Sequence, residues 1–580
     1  MLRPMANVFA VADADEGFLT QMEARLREAG EFEAVWRPAP GWVAAQATLP
    51  ESEPGDDLLR ERGFAFIEGR DRLQHGKDLR WLDRVAHLAD RTPGGLGELP
   101  GDFSFLRFRP DGRAQAVRAC AGVAPLYLYR REGGGLGLGT LLSHFTRFLP
   151  DRFEPDPLVN ASWEATLVFI DGRTFVEGIS ILPRGSHTAL VLARPPVTGI
   201  YWDPRPAEGD EPQQSPEHAR ELRALLVDSL ERDLDPRGRN LLSLSGGIDS
   251  CSIGALAAGV VGRKLFSWSL IPAFEPERSH ELSYIEPLVS RFDIDPALMC
   301  ELSEEIRWRW INEAPGLPFN VPHPVLCELP RIRAEREVSV LVGGEFADDV
   351  CGHLGRITDW ARYTSLVSLA RHPRSLPFGP RDCLRWGKRR LLDALGRPPL
   401  QFPDELFAWI HPGVQAEYRA WLEGRRQSRR HDDRPLKELA DRVAADGWVT
   451  MNWEGATPLG VRRSLPFFNR EMLELAFRCH PRELMGPGPK RLLREALRDD
   501  VPARNLFRRD KGGWGRGVTQ PRDLPWLGGD LPPSTARLVV PDWFVRSPSD
   551  VPPEDFGTVA RALRIAKYLE ATVDSRPPRS

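Results

Sequence analysis

The sequence predicts an α/β protein in two parts, layered antiparallel sheet over residues 1–205 and a parallel sheet with flanking helices over 206–580. Three observations predict it. Residues before 205 form short β-type runs cut by turns. The stretch "DPRPAEGDEPQQS" at 203–215 is acidic and Pro-rich, as expected of an exposed linker that cannot bury apolar surface. Beyond it, long helical patterns alternate with short apolar runs, the pattern of a parallel sheet.

The elements follow in order. "ANVFAVAD", "GDFSFLRFRPDGRAQAVRAC", "PLYLYRREGGGLGLGT" and "SHTALVLARPPVTGIYW" supply the first strands. "FSFLRF" and "AQAVRA" flank Pro110, Asp111 and Gly112, whose turn dihedrals predict a hairpin. In the second part, the helical "HARELRALLVDSLERDL" precedes the strand "NLLSLS", and "RIRAEREV" precedes "SVLVGG". The basic segments "LRWGKRRLL" and "EGRRQSRRHDDR" read as a solvated helix face and a loop. Residues 521–553 are Pro-rich and irregular, before a last helix near "TVARALRIAKYLEA".

Length and composition narrow the function classes. At 580 residues the chain holds two to four domains, given roughly 100 to 200 residues per domain. Hydrophobic residues at 41%, charged residues at 28% and a net charge of −4 exclude a disordered or membrane-spanning chain and imply no nucleic-acid partner. Asp13 and Asp15 interrupt any signal-like apolar run at the start, and no apolar stretch of about 18 residues occurs elsewhere. The expectation is a cytoplasmic protein without a membrane partner. The seven cysteines are scattered and form no CxxC pair, so they read as buried thiols. The histidines and Arg118 take no assigned role.

"LLSLSGGIDSCSIGAL" (241–256) carries the chemistry. Gly246 and Gly247 follow an apolar strand and let the backbone approach a ligand, while the amides entering the next helix point at it and the helix dipole favours an anion. The result is a phosphate cradle that follows neither GxxxxGK[ST] nor GxGxxG. Ser245 and Ser250 add hydroxyls; Asp249 beside phosphate implies Mg²⁺ between the two anions. An ordinary strand-to-helix turn with a capping Asp or Ser is the simpler account of any lone glycine pair.

SGGIDS resembles the SGGxDS loop of the ATP pyrophosphatase superfamily, which cleaves ATP between its α and β phosphates. "LVGGEFADDVCGH" (341–353) is similar to the SGEGADEVFGG of that superfamily's class B asparagine synthetase-like branch, with Asp348 on the second metal-binding acid and Glu345 on its Glu. "RRSLPFFNREMLELAF" (462–477) resembles ARVPFLDxxxLDxA, and "KRLLREALRDDVPARNLFRRDKGGWGRG" (490–517) the closing segment, where Lys511 takes the place of the active-site lysine. In the first part, "LPGDFSFLRFRPDGRAQAVRACAGVAPLYLY" and "RTFVEGISILPRGSHTALVL…YWDP" look like the glutaminase domain, an Ntn-hydrolase-like sandwich. By position, the resemblance also makes Ser243, Leu270, Gly343 and Gly344 adenosine-facing; each is open to reading as plain strand packing.

The departures guide the choice of function. A glutaminase of this family uses an exposed N-terminal cysteine, whereas this chain starts Met1-Leu2-Arg3, Cys120 is its first cysteine and no "RGPD" loop is evident. The first domain is therefore expected to be degenerate. Ser464 stands where the family has Arg, and Phe346 replaces a glycine, both on the amino-donor side. On composition alone Asp348 and Asp349 cap the following helix, and Lys511 is a solvated loop lysine; with SGGIDS the metal and catalytic readings prevail.

The implied chemistry is carboxylate adenylation by ATP with Mg²⁺ on Asp249 and Asp348, Lys511 stabilising the oxyanion and Glu345 a candidate base. β-Lactam synthetases, carbapenam synthetases and lasso peptide cyclases in this branch close rings without ammonia. The β-lactam enzymes carry tyrosine in the position of the second loop's acid, and here it is Glu345. The chain is thus expected to resemble the lasso peptide cyclases most, with a core peptide as substrate, an Asp or Glu side chain adenylated, and a leader peptidase and leader-recognition protein as partners. The alternatives are an ammonia-dependent or β-lactam synthetase-like ligase of a small molecule, and an inactive ATP-binding scaffold.

Overall fold

Short β-type runs joined by tight turns in the first part, and apolar runs separated by helical segments in the second, lead to two kinds of sheet in this computed structural model. It describes residues 7–47, 60, 62–68, 79–99, 103–121, 124–160, 170–203, 216–303, 306, 324–352, 410–429, 447–479, 483–484 and 490–508. Lys511, most of the 203–215 linker, "LRWGKRRLL" and everything from 509 onward, with its Pro-rich stretch and last helix, lie outside the described residues.

The first part holds β1 (Asn7–Ala12), β2 (Ala34–Trp36), β3 (Trp42–Ala47), β4 (Phe64–Glu68), β5 (Ser104–Phe108), β6 (Ala114–Arg118), β7 (Tyr127–Arg130), β8 (Leu136–Gly139), β9 (Ile179–Ile181), β10 (Ser186–Leu190) and β11 (Val197–Ile200), with helices α1 (Glu16–Glu28), α2 (Leu79–Arg91) and α3 (Leu142–Phe148). Six strands form one sheet in the order β2-β3-β1-β8-β7-β9 and five form another, β11-β10-β6-β5-β4, every pairing antiparallel. The β5–β6 hairpin turns where Pro110, Asp111 and Gly112 place it: Gly112 has φ +80° and its N–H donates to Arg109 O at 3.0 Å.

Period-2 alternation decides the layers. Val8, Ala10 and Ala12 of β1 meet Leu106, Phe108, Ala114 and Ala116 of the other sheet in one core. The opposite side of β1, Phe9 and Val11, packs under Leu19, Met22 and Leu26 of α1 and Phe145 and Phe148 of α3. Phe64, Phe105 and Val117 likewise face Val85 of α2. The result is four layers, helix, sheet, sheet, helix. Cys120, just past β6, is buried at 2% exposure.

The second part opens with α4 (Pro216–Asp233) and then alternates strand and helix: β12 (Asn240–Ser243), α5 (Ile248–Gly259), β13 (Leu265–Pro272), α6 (Glu277–Arg291), β14 (Asp295–Leu302), α7 (Pro324–Glu335), β15 (Val340–Val342) and α8 (Ala347–Cys351). Next come α9 (Pro412–Arg429), where "EGRRQSRRHDDR" begins, α10 (Gly447–Ala456), β16 (Arg462–Ser464), α11 (Arg470–Arg478), α12 (Arg491–Ala496) and α13 (Ala503–Leu506). The five strands pair in parallel in the order β14-β13-β12-β15-β16. The chain order reverses between β12 and β15, so their carboxyl ends open one crevice. Among the described residues no helix is long and apolar enough to cross a membrane.

The layered part rests on α10 and α11. Trp202 Nε1 donates to Glu474 Oε1 at 3.0 Å, Arg470 Nη1 donates to Leu99 O at 3.1 Å, and Leu142 N at the start of α3 donates to Glu454 Oε1 at 3.0 Å. Burial pushes the Glu454 carboxyl from the ordinary 4.5 up to about 7, and the Leu142 N–H opposes this without cancelling it. The unfolded chain releases this proton near 4.5 and the folded chain holds it to about 7, so stability falls as pH rises through that window. Glu454→Gln, which stays neutral, is expected to be more stable than the parent at pH 8 by on the order of 3 kcal/mol, the gap closing below pH 4.5. Thermal unfolding of both proteins across that range checks this, and a parent as stable as the variant at pH 8 would contradict it.

Candidate active site

The strand β12 ends at Ser243, and the chain turns through Ser245, Gly246 and Gly247 into α5. Gly246 has φ +66°, and a Cβ there would lie 3.0 Å from Tyr284 Cβ and 3.1 Å from Arg508 Nη1. Both the conformation and the space call for glycine. The Ser250 hydroxyl closes the turn, accepting from Ser245 N at 3.0 Å and lying 3.2 Å from Ser245 Oγ. The amides from Gly246 into the first turn of α5 then lie at the helix's positive end.

The second loop approaches this one from β15. A Cβ on Gly344 would stand 2.7 Å from Asp249 Cβ and 2.8 Å from Ser250 N, so only glycine allows the two loops to touch. That contact brings Asp348, in the first turn of α8, across from Asp249, in the first turn of α5. Lys490 lies between them: Nζ is 2.6 Å from Asp249 Oδ1 and 2.5 Å from Asp348 Oδ1. Its side chain is 7% exposed. Burial pulls the ammonium down, but the two carboxylates outweigh it and the net shift is upward, so Lys490 is charged at neutral pH.

The two carboxylates thus converge on a position where a cation is already favoured, which is the observation by which Mg²⁺ fits. They are hard oxygen ligands, and Mg²⁺ commonly takes one or two protein carboxylates together with substrate phosphates. Asp249 and Asp348 would hold it in exchange for their contacts with Lys490, which stays in the site as a second positive group.

Glu345 sits in the same loop, where its carboxylate pairs with the Arg463 guanidinium. Arg463, 1% exposed in its side chain, also donates from Nε to Asn452 Oδ1 at 2.8 Å. A proton acceptor at Glu345 must therefore work with one oxygen engaged by Arg463. Next to it Phe346 occupies the left-handed region at φ +67°, costly for a bulky residue, and packs its ring on Phe468 with centroids 4.2 Å apart and the planes tilted by 35°. Ser464, with Asp233 accepting its hydroxyl at 2.9 Å, and Phe346 both differ from the resembling pattern and lie at this end of the sheet.

The remaining positions line the same edge. Ser243 ends β12 opposite Trp268, Leu270 lies farther along β13, and Gly343 and Gly344 follow β15. Ser243 and Leu270 are partly exposed there. The structure therefore brings together Ser243, Ser245, Gly246, Gly247, Asp249, Ser250, Leu270, Gly343, Gly344, Glu345 and Asp348 at the carboxyl ends of the strands, while Lys511 is outside the described residues.

Four participants were not legible as such. Lys490 opens the quoted closing segment, and a lysine after "PGP" at a helix start was its one signal. Arg463 lies in the quoted 462–477 segment with no local pattern to mark it. Asn505 Nδ2 donates to Gly246 O at 3.3 Å and Tyr284 O at 2.9 Å, and Arg508 forms a buried pair with Glu281 while lying 4.1 Å from the Tyr284 ring centroid. Together they back the first loop from behind.

Removing Lys490 leaves two like charges facing one another. Lys490→Met is expected to lose about 1–3 kcal/mol of stability in metal-free buffer. Millimolar Mg²⁺ should restore much of it, because the ion replaces the missing charge. Thermal melts with and without Mg²⁺ check this; a variant unaffected by Mg²⁺ would contradict cation binding at these acids.

A comparison with known protein families matches residues 221–527 to asparagine synthase. A comparison with curated proteins finds no match. The matched span contains both loops, Arg463, Lys490 and Arg508, and implies an ATP-dependent carbon–nitrogen ligase. Covering more than half of the 580 residues, it makes this chain a member of the asparagine synthase family.

Proposed function

We propose that the chain is an AMP-forming macrolactam synthetase of the lasso peptide cyclase kind. It acts on a ribosomal core peptide, joining an Asp or Glu side-chain carboxylate to the peptide's own N-terminal amine. The observation that carries the ligase chemistry is the Asp249–Lys490–Asp348 cluster set against the SGGIDS loop.

A free carboxylate has no competent leaving group, so it must first be activated. Its oxygen attacks the α-phosphorus of ATP, the bond to the bridging α,β oxygen breaks, and pyrophosphate leaves. The loop amides and Lys490 receive the negative charge that develops on pyrophosphate. Mg²⁺ on Asp249 and Asp348 would neutralise phosphate charge when bound. The neutral amine then attacks the acyl carbon, the carbon–oxygen bond to AMP breaks, and the amine's proton leaves to a base. Glu345 is the candidate for that base and Lys511 for stabilising the oxyanion. The Arg463 and Asn452 contacts fix the orientation of Glu345.

Two features favour an internal amine over ammonia. Cys120, the one cysteine before residue 205, is buried mid-chain, so its own nitrogen is a peptide nitrogen and cannot serve as an α-amine base. Phe346, half-buried and backed by the buried Phe468, puts an aromatic ring beside Glu345, a group suited to contact with a peptide. The first domain is then a degenerate glutaminase-like, Ntn-hydrolase-like layer structure over 1–205, and the synthetase domain spans 206–580. In this reading the protein works in the cytoplasm beside a leader peptidase and a leader-recognition protein.

Incubation with ATP, Mg²⁺ and the linear core peptide encoded nearest its gene, followed by mass spectrometry and nucleotide quantification, tests this. Loss of one water from the peptide with stoichiometric AMP is the expected result. Turnover only with ammonia or a small amino acid would transfer the chain to the small-molecule ligases, and absence of any nucleotide turnover would leave an ATP-binding scaffold.

A further inference from the structure

Among the described residues one group combines the side chains that bind transition metals, and it lies outside the nucleotide loops. His218 is in the first turn of α4; Cys479 follows α11 directly, and Glu483 comes four residues later. Their ligand atoms all lie within 4.8 Å of one another. His218 Nδ1 is 2.8 Å from Glu483 Oε1 and 3.6 Å from Cys479 Sγ. Cys479 is 2% exposed, and the side chains of Glu483 and His218 are 5% and 19% exposed.

The simpler account is a hydrogen-bonded pair beside a core thiol. One detail speaks against it. Sulfur and carboxylate oxygen both converge on the same ring nitrogen, which carries either one proton or one lone pair and so serves both only as a shared, weaker bond. A cation seated among the three atoms uses all of them. Around a tetrahedral zinc, with Zn–S about 2.3 Å and Zn–N about 2.0 Å, sulfur and nitrogen stand about 3.5 Å apart. The Cys479–His218 separation of 3.6 Å already matches that edge, and the carboxylate needs to withdraw from the ring nitrogen by about half an ångström.

We propose that His218, Cys479 and Glu483 bind one zinc ion, with a water molecule as fourth ligand. The donor set selects the metal: thiolate and imidazole suit zinc and exclude Mg²⁺ and Ca²⁺, which take oxygen. Thiolate and carboxylate together neutralise Zn²⁺, so the ion is held in a largely buried place without uncompensated charge. Binding displaces the thiol proton to solvent. The ion joins the start of α4 to the end of α11, across the same junction that Arg478 and Glu221 bridge by an ion pair. Since α8, which carries Asp348, packs on α11, the zinc braces the helix behind the second nucleotide loop.

The test uses the full chain purified without a histidine tag. Elemental analysis is expected to find about one zinc per chain, and reloading the chelator-stripped protein with Co²⁺ alone should give a thiolate-to-cobalt charge-transfer band. Cys479→Ser should lose the band, and both it and His218→Gln should weaken zinc binding by at least tenfold. His218 lies partly exposed on a helix, so its variant remains informative if the cysteine variant misfolds. A folded protein that takes up neither zinc nor cobalt at stoichiometry, or variants that retain zinc equal to the parent, would overturn the assignment.

Discussion

The site depends on one ammonium between two carboxylates. Asp249 and Asp348 come from separate loops about 100 positions apart in the chain, and like charges at that range repel unless a cation stands between them. Lys490 supplies it from the N-terminus of a third helix, α12, where its own backbone takes the left-handed region at φ +58° and its N–H donates to Gly352 O at 3.1 Å. Three elements are thereby fixed to one point: the loop after β12, the loop after β15 and the start of α12. Gly344 permits the approach and Lys490 makes it stable.

Around that point the protein arranges charge in a consistent order. The first-turn amides of α5 lie at the crevice and the buried ammonium of Lys490 sits between the two acids there, while the second cationic layer, Arg463 and Arg508, is neutralised by Glu345 and Glu281 and serves to hold the loops. Burial disfavours the charged form of Arg463, and Glu345 opposes that shift, so each partner keeps the other in place. On the proposed function, such a site binds polyphosphate by positions set before the ligand arrives. The four-layer part contributes by docking on α10 and α11, the elements that flank β16 and thus Arg463.

Much of this was legible in the sequence. A short β-type run bounded by turn residues announced β1, alternating flanks about Pro110-Asp111-Gly112 announced the β5–β6 hairpin, and apolar runs followed by helical spacing announced β12 and β15 with their helices. The glycine pair together with its flanking serines and acid in SGGIDS, and the glycines and acids of LVGGEFADDVCGH, pointed to both loops. Lys490 and Arg463 were harder, since a lysine or arginine in a helix-flanking segment has no local pattern that separates a buried counter-ion from a solvated one. Their roles come from tertiary approach across 118 to 241 residues of chain, which no window of sequence records. His218 and Cys479 are hidden for the same reason, lying 261 residues apart.

Equilibrium binding of the non-hydrolysable α,β-methylene analogue of ATP, with and without Mg²⁺, to the parent protein and Asp249→Asn tests the central claim most directly. The account predicts Mg²⁺-dependent binding to the parent and a loss of at least tenfold in the variant, with folding retained. Binding that is independent of Mg²⁺ and equal in both proteins would contradict it.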